Sequence, residues 1–310
     1  MNDALKLLSN SLKPFGYQIR KFRAPNLLRL KAAEKENAAI KTLRNAGHWT
    51  TDANLDSMTV FLRTCMRENR NIDPKPRLGS DDLEDATLRC VNSLITAIHA
   101  ARDMGDICLV VLDDRSDDAP FARLKALLDT AQCDVEIHTT AQTGQGASLH
   151  EQFTRGRDEN AILYFVEDDY LHEAHAIRAA WDFYRQIARD FETHALLYPQ
   201  EHHVLHEDLY PSYVLAAPQC HWRSMHHATH TFITHGHILR DFWEYFENTK
   251  YVGIKKKRKL GSEARTTNRL FKHIPGFSPI QPLAVHFQFE GLLPPFYDWK
   301  ALWEKNKIKP

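Results

Sequence analysis

Residues 161–169 read Ala161-Ile162-Leu163-Tyr164-Phe165-Val166-Glu167-Asp168-Asp169, six apolar residues that run straight into three carboxylic acids. Such a run, without polar alternation, predicts a short strand buried on both faces. Carboxylates are not left unpaired in a sheet interior, so the strand ends where the acids begin. The same arrangement lies upstream, where Ile107-Cys-Leu-Val-Val-Leu112 runs into Asp113-Asp114. Met58-Thr-Val-Phe-Leu-Arg-Thr64 and Asp134-Val-Glu-Ile-His138 are two further strand-like runs. Between them, apolar residues at helical spacing predict helices over 82–102, 119–131, 147–157 and 174–191, the first with Ser80 or Asp81 as N-cap.

The order is therefore β-α-β-α-β-α-β, which predicts an α/β fold with a mostly parallel sheet covered by helices on both faces. Ligands of such sheets bind at the carboxyl ends of the strands. Both acidic clusters fall at that edge, which points to a metal ion or a polyhydroxyl ligand.

Composition narrows the function. The 310 residues carry 40 basic and 40 acidic side chains, a balance that calls for neither nucleic acid nor a strongly acidic partner. Five cysteines at irregular spacing, without CxxC, point to reduced thiols in a cytoplasmic setting and away from a cysteine-built zinc site. No apolar stretch is long enough to predict a transmembrane segment, and the N-terminus lacks a signal-peptide pattern. Residues 1–55 read as a basic, amphipathic helical arm with Lys6, Lys13, Arg20, Lys21 and Arg23. Such an arm packs on the main domain or makes peripheral contact with an anionic inner membrane face.

Taken together, three segments resemble the GT-A glycosyltransferases, in particular their family-two-like group. Val110-Val-Leu-Asp-Asp-Arg-Ser-Asp-Asp118 resembles that group's strand followed by "DDGSTD", with Arg115 at the glycine and Asp117 at the threonine. Tyr164-Phe-Val-Glu-Asp-Asp169 resembles its DxD-bearing strand, and Thr143-Gly-Gln-Gly146 with the next helix its glycine segment. The likeness covers about residues 57–175, with Glu167 departing from the usual Asp. It implies a GT-A (Rossmann-like) domain over 56–310, with a donor half at 56–175, an acceptor half at 176–310 and a C-terminal extension. It implies a nucleotide-sugar donor, UDP- or GDP-linked, and a glycan, lipid-linked or other hydroxyl acceptor.

The resemblance also implies roles. Asp169 would hold Mn2+ or Mg2+, since hard cations take oxygen ligands, and Glu167 would reach the metal or the ribose through water. Asp168 would touch the sugar. Asp113 and Asp114 would hold the nucleoside, beside Thr64 and Arg67 at the end of the first strand. Glu263, in Gly261-Ser-Glu-Ala-Arg265, would be the base of an inverting enzyme, although Ala264 stands where a second acid is usual. Glu207 and Asp208 are rival bases, and a retaining enzyme needs none. His286, after the strand-like Pro282-Leu-Ala-Val285, is a further candidate metal ligand. Trp222 is a candidate for stacking on an acceptor sugar.

Nine histidines between 202 and 237 follow no metal-binding spacing, and HExxH is absent, so they read as surface or cleft residues. Lys255-Lys-Lys-Arg-Lys259 reads as a solvated loop or as a lid over a diphosphate. Three other functions stay open. A sugar nucleotidylyltransferase would need a glycine-rich loop after the first strand, which Arg63-Thr-Cys-Met-Arg-Glu68 lacks. A metal-dependent hydrolase would act without an acceptor, and a binding protein would do no chemistry.

Overall fold

The computed structural model describes residues 8, 10–15, 52–67, 78, 82–201, 212, 214–288, 290–294 and 296–308. Most of the basic arm, with Glu207 and Asp208, lies outside them.

The first half follows the predicted order. Strand β1 (Ser57–Thr64) leads through α1 (Leu83–Ala101) to β2 (Asp106–Asp113). Helix α2 (Asp118–Leu128), β3 (Asp134–Thr139), α3 (Gln145–Arg157) and β4 (Ile162–Glu167) follow. The N-cap of α1 is Asp82 rather than Ser80 or Asp81: its Oδ1 accepts the Glu84 N–H at 2.9 Å, satisfying one of the donors that a helix start leaves open. Leu88, Val91, Leu94, Ile95 and Ile98 recur every three or four residues and are buried. Each such side chain contributes roughly 1.5–3 kcal/mol when removed from water.

A short strand, β5 (Tyr170–His172), leaves the acidic turn and precedes α4 (Ala176–Phe191). The second half adds β6 (Leu196–Leu197), β7 (Val214–Leu215), β8 (Trp222–Ser224), β9 (Phe232–His235), helix α5 (Gly236–Asp241), β10 (Gly276–Pro279), β11 (Ala284–His286) and helix α6 (Trp299–Lys305).

Among the described residues, nine strands form one sheet in the order β3-β2-β1-β4-β9-β6-β10-β8-β7. The β3-β2-β1-β4 block is parallel, while β9 runs antiparallel between β4 and β6. One face buries Leu62, Val111, Tyr164 and Trp181 with α1 and α4, and the other buries Phe61, Phe153, Phe165 and Phe246 with α3. β5 and β11 pair antiparallel as a separate two-stranded sheet. Beneath it the C-terminal extension folds back, with Phe287 stacked on Trp303 at 4.6 Å and Leu302 buried beside Leu171. All five cysteines are thiols rather than disulfides.

Candidate active site

Register puts the acids at one edge. Thr64 pairs with Asp113 across β1 and β2, and Arg63 with Glu167 across β1 and β4. The Asp113 carboxylate is buried and engaged by its own turn. Its Oδ1 accepts the hydroxyls of Thr64 (2.9 Å) and Ser116 (2.5 Å), and its Oδ2 accepts the Ser116 N–H (2.8 Å). Ser116 in turn accepts the Met66 N–H at 2.7 Å. Asp113 thus ties the end of β1 to the start of α2. Arg115 takes a left-handed φ of 55°, a conformation that costs an L side chain about 1–2 kcal/mol.

Asp114 faces the loop before α3. Its Oδ2 accepts the Gly144 N–H at 2.8 Å and pairs with Arg67 at 3.2 Å, while Oδ1 accepts the Thr140 hydroxyl at 3.3 Å. Close approach holds that loop in place. A Cβ on Gly146 would stand 2.6 Å from the Val252 carbonyl oxygen, so the segment leading to Lys255–Lys259 packs directly on the first turn of α3.

The three acids after β4 diverge. Glu167 forms an ion pair with Arg63, whose guanidinium also donates to Ser148 Oγ at 2.8 Å. Burial pushes the Glu167 carboxyl up, opposed by the Arg63 charge and reinforced by Asp169. Asp168 turns back to accept the Cys65 N–H at 3.1 Å. Asp169 reaches across to the small sheet, where its Oδ2 stands 3.2 Å from His286 Nε2. The His286 ring lies flat on Tyr170, centroids 4.8 Å apart, and its backbone N–H donates to Gln200 Oε1 at 2.5 Å.

The second half also reaches this edge. β9 pairs Phe232 with Phe165, so His230, two residues earlier, stands level with Glu167. His230 is buried, and its Nε2 meets Thr266 Oγ1 at 2.9 Å and its Nδ1 lies 3.6 Å from Glu263 Oε1. Burial lowers His230 to about 4; Glu263 opposes this and Arg63 adds to it. Glu263 opens a 3-10 turn, Glu263–Arg265. Its side chain is 45% exposed.

One expectation is corrected. Trp222 is fully buried and stacks on Phe183 at 4.4 Å with an interplanar angle of 3°. It is a core residue with no face for a sugar. The sequence reading also missed Arg63, Ser116, Gln200 and His230. Arg63 carried a signal, being the single charge within an apolar strand.

No protein-family model matches the chain, and no curated protein matches it in sequence. Among solved structures, residues 1–349 of S. aureus TarS align at 12% identity and a TM-score of 0.45 over 72% of this chain and 60% of that one. M. tuberculosis glucosyl-3-phosphoglycerate synthase aligns at 18% identity and a TM-score of 0.30, over 51% of this chain and 47% of its own. A UDP-glucose pyrophosphorylase aligns at 10% identity and 0.43, over 80% and 97%. This chain spans about 60% of the TarS fragment.

Proposed function

We propose that the chain is a glycosyltransferase that moves a sugar from a nucleoside-diphosphate donor to an acceptor hydroxyl. The observation that carries this reading is the meeting of Asp169 and His286, beside Glu167 and Asp168, at the carboxyl edge of a parallel sheet. The pair suits a divalent cation. Two ligand atoms about 2.1 Å from one ion and at right angles to each other stand about 3 Å apart, close to the 3.2 Å between Asp169 Oδ2 and His286 Nε2. One carboxylate oxygen with one imidazole nitrogen favours Mn2+ over Mg2+. Bound there, the cation would neutralise charge growing on the departing diphosphate.

The chain's own residues supply the rest. Asp169 and His286 hold the ion, and Glu167, oriented by Arg63, reaches it or the ribose through water. Asp114, with Thr64 and Arg67, lines the nucleoside end, while Asp113 keeps that turn in shape. Asp168 faces the sugar from its bond to the Cys65 N–H. Glu263, 3.6 Å from His230 Nδ1, takes the acceptor proton; Asp208 is the alternative base.

The test is a thermal-shift panel of UDP, GDP, ADP and CDP with and without Mn2+, followed by sugar transfer from the matching donors. One nucleoside diphosphate should raise Tm only with the metal. No metal-dependent shift by any of them would sink the donor-site reading. Release of free sugar at full rate without acceptor would assign hydrolysis instead, and consumption of pyrophosphate would assign nucleotidyl transfer.

A further inference from the structure

The opposite edge of the sheet holds a second cluster of ligating groups. β9 runs antiparallel to β4, with His235 level with Ile162, the first residue of β4. His235 therefore lies about 17 Å along the strand from the acids, at about 3.3 Å per residue. His194, just before β6, and His237, one residue past Gly236, meet it there. One nitrogen of each of the three imidazoles lies within 4.8 Å of the others. Ring centroids are 4.7 Å apart for His194 and His235, 4.4 Å for His235 and His237, and 5.5 Å for His194 and His237. His194 and His235 are buried, and His237 is half-buried at the mouth.

The surroundings hold these rings in position. Tyr184 Oη meets Nδ1 of His194 at 3.0 Å, and the Asn54 carbonyl meets Nε2 of His235 at 3.3 Å. Metal-bound imidazoles have such outer partners on the nitrogen away from the ion. A proton on His235 Nε2 leaves one lone pair on Nδ1; it accepts the His237 backbone N–H at 3.1 Å, a hydrogen bond that an ion bound at Nδ1 would replace. Gly236 lets the chain press against the neighbouring loop: a Cβ there would stand 2.0 Å from the Glu159 carbonyl oxygen. Asp52 and Asp241 place negative charge near His237.

We propose that His194, His235 and His237 form a second metal site, for a borderline-soft divalent ion of the zinc type, remote from the Asp169–His286 edge. Three imidazole nitrogens select zinc, cobalt or nickel over magnesium. The fourth position falls to water or to Asp52. The ion would join the starts of β6 and α5 to the incoming chain at Asn54, and so brace the entry of the N-terminal segment.

The test uses untagged full-length protein carrying Asp169→Ala, which removes the front site, stripped with chelator and titrated with Zn2+, Co2+ and Mg2+. One equivalent of Zn2+ should bind and raise Tm, Mg2+ should do neither, and Co2+ should give the intense visible bands of low coordination. His237→Asn should weaken Zn2+ binding on the order of tenfold or more. Absence of saturable Zn2+ binding, or a Co2+ spectrum like that of the aqueous ion, overturns the proposal. So does undiminished binding in folded His237→Asn. The Co2+ spectrum is read on protein with all three histidines, so that outcome does not depend on the variant folding.

Discussion

Oδ2 of Asp169 and Nε2 of His286 stand 3.2 Å apart although 117 residues separate them in the chain. The β5–β11 ladder makes the contact: Tyr170 pairs with His286, and the Phe287 N–H donates to the Asp169 carbonyl at 2.6 Å. Removing either side chain tests the pair. His286→Ala should raise the Mn2+ concentration needed for half-maximal transfer by about 10- to 100-fold, the range for disturbed metal sites, whereas Asp169→Ala should abolish transfer. Circular dichroism should show both variants folded. Unchanged metal dependence in His286→Ala would remove the histidine from the ligand set.

Arg63 and Glu167 face each other on neighbouring strands, 8% and 23% exposed. Leaving one partner of a largely buried ion pair alone is costly, so Arg63→Met should destabilise the fold by about 3 kcal/mol, read by urea melts. The double change Arg63→Met with Glu167→Gln should restore much of that loss. A double variant as unstable as the sum of the single ones would show the pair does not interact energetically.

Gly146 has no room for a methyl group beneath Val252 and Lys250. Gly146→Ala should cost about 1–3 kcal/mol, as overpacking does. It should also loosen residues 250–261, with faster proteolysis at Lys255–Lys259. Wild-type cleavage rates there would show that this packing does not restrain the loop.

His172 and His230 are among the buried histidines that set an acid limit. Burial lowers His172 to about 3 and His230 to about 4, below the usual 6.5. On acidification the unfolded chain takes up these protons first. Their contribution is therefore complete above about pH 6.5 and is lost as pH falls toward 4 and then 3, at about 1.4 kcal/mol per pH unit for each proton. His172→Gln keeps a partner for the Tyr164 hydroxyl, which meets His172 Nε2 at 2.7 Å, and should flatten the slope by one proton. A slope identical to wild type would exclude His172 from it.

The acidic edge was legible because its strands are long apolar runs ending in acids, and burial on both faces leaves that mark in a sequence. His286 was legible as a candidate through the short apolar run before it. Trp222 was not, because β8 has three residues and lies among polar neighbours, too short for a period of two to show which side faces inward. The histidine cluster was hidden for a related reason. His194 lies outside the histidine-rich stretch, and it meets His235 only through a pairing of β6 and β9 at Leu197 and Ile233. A two-residue strand has no pattern of its own. Glu263 was found by its motif, but its partner His230 depends on the register between β4 and β9.

The place of β9 bears on how the chain is made. As the chain leaves the ribosome, β1 to β4 can assemble early, yet the outer edge of β4 stays open until roughly seventy more residues have emerged and β9 can close it. During that interval Ile162 to Phe165 present bare backbone donors and acceptors beside an apolar surface, a template for pairing between nascent chains. Fragments that stop before residue 232 should therefore aggregate on expression, and the full chain should gain yield from slower translation or added chaperone.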